Sequence, residues 1–427
     1  MHIPDGYLSP IISLGAGVLT IPVWGVATQR VKTVLNNRTI PLLAIFSALT
    51  FTFLMFNVPV PGVTTAHGVG ATLTAVILGP WAAVISVSVA LIIQALFFGD
   101  GGVLAILINC FNMAVVLPMV AYATYRLIAA RATLLSTRRV VAAFIGGYVG
   151  MTASALLVGI ELGIQPLLFT GANGQALYSP YGLSEAIPAM LIAHMFGASI
   201  VEGLIAALGV AYFQKRHPEY LEGLKSVFAD ADVLEGTPSR RPLWQIATAI
   251  IGVAVLAIAA LGLVLGGGDP ARWFGADWSQ VDWAAVATML LIVGIMFAVL
   301  VPLAWFVLPE RYKRVGAAFV GLAVIAPLGL IAPGFAYGEG SADDVQAAFG
   351  YIPKGLQDLS SVFSAPLSGY NIPLPFFSDA NSELWHAAIG YEITGIIGML
   401  LCGVIILGIA RLLGGRGGET VTSVVTP

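Results

Sequence analysis

Charge is what this sequence has least of. Only 10% of its 427 residues are Asp, Glu, Lys or Arg, against about 25% in soluble domains. The mean hydropathy is +0.92, and a water-soluble globular chain is excluded. Cysteine is nearly absent: Cys110 and Cys402 both lie inside apolar runs, which excludes a disulfide framework and a thiolate metal site. There is no G-x-x-x-x-G-K-[ST] phosphate loop, so the chain cannot itself hydrolyse ATP by that mechanism, and no H-E-x-x-H, which removes the intramembrane metalloprotease reading. No basic stripe with interleaved aromatics suggests nucleic acid. A basic leader is missing too, since the first basic residue, Arg30, follows the first apolar run. The polar opening is therefore expected to persist rather than leave with a signal peptide.

What is present is apolar. Hydrophobic residues make up 58% of the chain, in long runs broken by short polar turns, the pattern of an all-α, polytopic helical membrane protein. The 49 glycines and 24 prolines fit membrane helices, where other parts of the protein re-satisfy the backbone. Spans are predicted at 11–29, 40–57, 81–98, 103–127, 139–160, 185–213, 243–267, 283–308, 315–332 and 387–410, with a shorter apolar segment at 68–79. With the N-terminus outside and eleven segments counted, seventeen of nineteen basic residues fall on the inner side, only Arg272 and Lys354 lying outside. This satisfies the positive-inside rule and requires 68–79 to cross. The expected arrangement is N-out and C-in in the cell membrane. A seven-helix unit, 1–216, is followed by a charged cytosolic linker, 217–242, and a four-helix unit, 243–427, with a long outer excursion over roughly 333–386.

In that topology Met1, His2 and His67 are all on the outer side. A free α-amine at Met1, the deprotonated amide nitrogen of His2 and Nδ1 of the same imidazole form fused five- and six-membered chelate rings, three nitrogens in one plane. One more imidazole closes a square, and His67 is the candidate. Square-planar nitrogen suits Ni(II) or Cu(II) and is poor for zinc. The bulky His2 disfavours removal of the initiator methionine, and Pro4 stiffens the chain just after the chelate. On spacing alone, the competing reading is that His2 is incidental and His67 a polar cap.

The opening MHIPDGYLSP resembles that of CbiM/NikM proteins, substrate-binding membrane components of energy-coupling-factor importers for cobalt and nickel. The resemblance continues through PVPGVTTAHGVGATLTAVILGPWAA (59–83), LIIQALFFGDGGVLAILINCFNMA (91–114) and AMLIAHMFGASIVEGLIAAL (189–208). It implies Co²⁺ or Ni²⁺ as transported substrate, bound by Met1, His2 and His67, with no catalytic cofactor. It also implies partners in other chains, a coupling transmembrane subunit and ABC-type ATPase subunits. Asn109 and Asn112 match the family's NxFNMA stretch and are candidates to order the amino-terminal loop, with interhelical packing as the alternative. Asp100, in FFGDGG, is a candidate acceptor orienting an imidazole, or a plain turn residue. His194 and Glu202 match the family's His…Glu-Gly pattern and are read as helix packing or partner docking, with ion binding as the alternative. Gly146 with Gly150, and Gly203 with Ala207, are small-xxx-small pairs that let helices approach closely.

The second unit is loosely similar to the accessory extension carrying a PDGLE motif, here altered to IPKGLQ with Lys354 in place of an acidic residue. His386 is read as interfacial, with a weak entry-site ligand as the alternative. All proposed ligands lie in the first unit, so the second is expected to affect transport rate more than metal affinity. Two further readings stand beside an ATP-driven capture component. One is an autonomous secondary transporter, which needs intramembrane carboxylates; Glu202 is the fair candidate, with Glu161, Asp100 and Glu392 nearer span ends. The other is a metal-handling enzyme, for which no nucleophile–base constellation is found.

Overall fold

The structure is a computed structural model. It describes residues 1–33, 39–59, 65–222, 283–307, 313–331, 336–374 and 384–414, with isolated positions between them. Each long apolar run among the described residues becomes a helix, because a backbone in hydrocarbon must satisfy its own hydrogen bonds. In chain order these are α1 (Pro10–Lys32), α2 (Thr39–Met55), α3 (Ala71–Leu78), α4 (Pro80–Phe98), α5 (Ile106–Ala129), α6 (Thr137–Leu168) and α7 (Leu183–Arg216). The second unit adds α8 (Trp283–Val307), α9 (Lys313–Ile325), two short helices, α10 (Ala342–Phe349) and α11 (Lys354–Leu359), and the long α12 (Leu384–Gly414). Seven described helices are long and apolar enough to cross a membrane, and the chain is a multi-pass membrane protein. The span expected at 243–267 and most of the linker 217–242 lie outside the described residues; Pro218–Glu222 forms a 3₁₀ turn.

Helix α1 shows how the sequence sets these elements. Ser9 caps it by accepting the Ile12 N–H, Pro10 supplies its first turn, and Arg30 and Lys32 stand in its last turn, where the helix dipole favours cations. Ile11, Leu14, Val18 and Ile21 are exposed along one face, a stripe at helical spacing that suits contact with lipid. The short segment differs from its sequence outline. Only Ala71–Leu78 is helical, about 12 Å long, and every residue of it is buried. It runs in the direction of α7, with Gly68 beside Val201 and Ile205, and Leu73 beside Gly209. It thus leads the chain from the His67 end of the bundle towards the end that carries Lys215 and Arg216. Before it, Asn57–Pro59 and Thr65–His67 pair as a small antiparallel ribbon, Asn57 opposite His67.

Gly146 and Gly150 of α6 lie against the backbone of α5: a Cβ at either would come within 2.7 Å of the Ala121 or Leu117 carbonyl oxygen. This pair is spent on internal packing. Three helices carry π-helical turns, at Gln94–Phe98, Cys110–Val116 and His194–Ala198. The last helix, α12, packs on α2, with the Tyr391 hydroxyl donating to the Met55 carbonyl at 2.7 Å.

Candidate metal site

The amino-terminal arm, residues 1–9, is threaded into the bundle rather than lying on it. Its backbone is held residue by residue. The Ile3 N–H donates to Asn109 Oδ1 at 3.0 Å, and Asn109 Nδ2 donates back to the Ile3 carbonyl at 3.1 Å. The Gly102 N–H donates to the same carbonyl at 2.9 Å. The Asp5 carboxylate accepts the Val103 and Leu104 N–H groups at 3.0 and 2.9 Å; burial raises its pKa against the pull of those bonds. Ser9 N–H donates to Gln165 Oε1 at 3.1 Å. Gly6, at φ +95°, lets the arm pass Gly355, whose carbonyl oxygen would lie 2.7 Å from an added Cβ.

This threading delivers Met1, His2 and His67 to one cavity of about 420 Å³, with Asp100, His194, Glu339 and Tyr370 also in its wall. Met1 and His2 are buried, only 6% and 4% exposed. The Met1 amine pairs with Glu339 Oε1 at 3.2 Å, and His2 Nδ1 lies 3.0 Å from Asp100 Oδ1. His2 Nε2 is buried with no hydrogen-bond partner among the described residues. The His2 and His67 rings stack at 5.2 Å between centroids, inclined by 22°. Desolvation, then the amine and His2 beside it, hold the His67 pKa well below the usual histidine value, so its ring is a neutral lone-pair donor.

The chain belongs to the CbiM family. Residues 2–220 match the family model described as the cobalt uptake substrate-specific transmembrane region. The fused nickel transport protein NikMN of Rhodobacter capsulatus is 36% identical over 416 residues, 94% of each chain. The cobalt transport protein CbiM of Lachnoclostridium phytofermentans is 30% identical over 178 residues, covering 41% of this chain and 68% of that one. A crystal structure described as a truncated transition metal transporter is 52% identical, covers 51% of this chain and 99% of its own, and superposes with a TM-score of 0.47. Within the CbiM region of this chain, the candidate donors Met1, His2 and His67 share one cavity but are not closed around a point. Square-planar coordination needs both rings edge-on, whereas here they stack. Among the described residues no three His, Cys, Asp or Glu side chains form a metal-holding group; a chelate that draws on an amine and an amide nitrogen does not require one.

The remaining sequence candidates separate. Asn109 orders the arm. Asn112 does not reach it: its Nδ2 donates to Glu161 Oε2 at 2.7 Å, and its carbonyl accepts Ser154. His194 lines the cavity, its Nδ1 on the Met190 carbonyl at 2.7 Å. Glu202, fully buried, accepts the Val69, Gly70 and Thr72 N–H groups at 2.8, 2.7 and 2.8 Å. It caps α3 from a neighbouring helix and fixes the strand end that carries His67. Sequence reasoning missed Gln94, Glu339 and Tyr370. Gln94 Nε2 donates to Asp100 at 3.1 Å and to Tyr370 at 2.6 Å, and the Tyr370 hydroxyl donates to the same carboxylate. A glutamine in an otherwise apolar run was the one available signal.

Proposed function

We propose that this chain captures Ni²⁺ or Co²⁺ at an amino-terminal nitrogen site, as the substrate-specific membrane component of an ATP-driven energy-coupling-factor importer. The observation that carries the reading is the convergence of buried Met1 and His2 with half-buried His67 in one cavity at one end of the bundle. Loading turns the His2 ring about its Cβ–Cγ bond, so that Nδ1 joins the amine and the His2 amide nitrogen while Nε2 swings towards Asp100. His67 closes the square. Four nitrogens in a plane favour Ni²⁺ over Co²⁺ by the usual affinity order. The relatives' names, nickel transport and cobalt transport, support transport rather than catalysis.

The basic residues support an outward site. Lys32, Arg126, Arg139 and Arg216 stand at helix ends remote from His2, and positive charge marks the cytoplasmic side. The division into a binding unit, 1–216, a linker, 217–242, and an extension, 243–427, belongs to the same proposal, as do separate coupling and ABC-type ATPase subunits. A secondary transporter is disfavoured because Glu202, its fair candidate carboxylate, is occupied by three backbone N–H groups.

One added residue before Met1 tests the chelate. It moves the amine out of the ring system, so tight Ni²⁺ binding by the purified chain, read by isothermal titration, is expected to disappear. Unchanged affinity would show that the amine is not a ligand.

A further inference from the structure

One wall of the cavity comes from outside the residues matched by the family. The segment 336–374 crosses the amino-terminal arm and is stitched down at both ends. At the first end Glu339 takes the Met1 amine, and the Gly340 carbonyl accepts the Tyr7 hydroxyl at 2.8 Å. At the other, the Leu367 N–H donates to the Phe97 carbonyl at 2.9 Å, and Tyr370 holds Asp100 while stacking on Phe98 at 5.0 Å. Between them the Gly355 N–H donates to the Leu177 carbonyl at 2.6 Å.

We infer that segment 336–374 is a strap over the metal site, held by Glu339 and Tyr370, whose release sets the rate at which metal loads. The inference rests on the reading of Met1 and His2 as donors. Both donors are tied in this structure. The amine is turned to Glu339 on the strap, and His2 Nδ1 to Asp100, which the strap's Tyr370 holds in turn. Met1 and His2 are deeply covered and both donors are engaged by these contacts, so a cation binds them only once the contacts give way. The exchange balances in charge. The dication enters, one proton leaves the ammonium and one the His2 amide, both to water, and the cavity keeps its net charge. Glu339 then accepts a hydrogen bond from the coordinated amine's own N–H. The strap therefore closes over the empty and the loaded site alike and governs rate more than equilibrium.

A reversible lock tests this on the full chain. A Cβ at Gly99 lies 3.8 Å from the Ser368 Cβ, the usual spacing across a disulfide. In the Gly99→Cys, Ser368→Cys protein, stopped-flow Ni²⁺ loading should be at least 10-fold slower oxidised than reduced. The reduced form of the same protein is the control for a side chain at a position whose φ is +67°, and Cys110 and Cys402 are buried. Glu339→Gln, which removes the ion pair, should load at least 3-fold faster than the unaltered chain. Damage to the fold would slow both variants, whereas a strap is slowed by the lock and speeded by the release. Equal rates in the oxidised and reduced forms, or an unchanged or slower Glu339→Gln, overturn the strap. His67→Ala separates the two claims: normal Ni²⁺ binding there overturns the metal site itself. Lost binding there, beside an ineffective lock, overturns the strap alone.

Discussion

Glu202→Gln asks whether His67 is placed by its own ribbon or from α7. The carboxylate accepts three N–H groups at the start of α3, two on Oε2 and one on Oε1. Glutamine keeps one oxygen, which can still serve Val69 and Gly70, but sets an NH₂ group against the Thr72 N–H. A buried donor left unmet costs about 1–3 kcal/mol, a factor of roughly 5 to 150 in an equilibrium constant. The first turn of α3 is the place for that cost to fall, because α7 is pinned along its length while the ribbon before Gly68 is only three residue pairs long. Fraying there moves His67, three residues before Gly70. Ni²⁺ affinity by titration should fall by about 5- to 150-fold, with a lowered melting temperature in detergent. A variant with unaltered affinity and melting would refute the claim that Glu202 positions the fourth ligand.

Three further outcomes are expected. His2→Ala and His67→Ala should each eliminate high-affinity Ni²⁺ binding, while His217→Ala at the far end of α7 should bind as the unaltered chain does; equilibrium dialysis decides between them. Binding should weaken steeply from about pH 8 to pH 5 with proton release, because the donors act unprotonated. His67 is held well below the usual histidine range, which favours its neutral, metal-binding form. Titrations in two buffers of different ionisation heat read the released protons, and a pH-independent affinity would contradict a nitrogen-only site. Finally, liposomes holding residues 1–427 alone should not concentrate metal, and adding a coupling subunit, ATPases and ATP should start uptake. Concentrative uptake by the single chain, sensitive to a proton gradient, would favour secondary transport instead.

The long spans were legible because bilayer thickness forces apolar runs of a known length, and α1, α4 to α8 and α12 fall where those runs are. The tail of the 315–332 span was less so: the α-helix stops at Ile325 and continues as a 3₁₀ turn through Ile331, a change of winding that composition does not encode. Met1 and His2 stood out because a chelate is a local pattern, and His67 was singled out as a candidate fourth ligand and through the family resemblance; the structure places all three in the wall of one cavity. Glu202 was read as packing, docking or a transporter's carboxylate and not as a cap for α3, since three bonds to backbone N–H groups across 130 residues leave no trace in spacing. The second unit was expected to supply no ligand and to affect transport rate more than affinity; that its Glu339 and Tyr370 enter the cavity wall was not foreseen. Nothing in an outer loop rich in Gly, Pro and Ser says which of its polar residues will meet a buried amine.

The π-helical turns in α4, α5 and α7 have a mechanical consequence. An α-helix turns about 100° per residue, and a π turn accommodates one extra residue. The two stretches of helix on either side of it therefore run about 100° out of phase. In each of the three helices the turn lies next to a polar residue at the cavity end: Gln94, Asn109 with Asn112, and His194. The phase jump lets the bilayer stretch keep its oily side outward while the end beyond it presents amide and imidazole groups inward. Deleting one residue within such a turn would restore continuous winding and rotate everything beyond it by about that angle. The membrane face and the cavity face of one helix are thus separately adjustable.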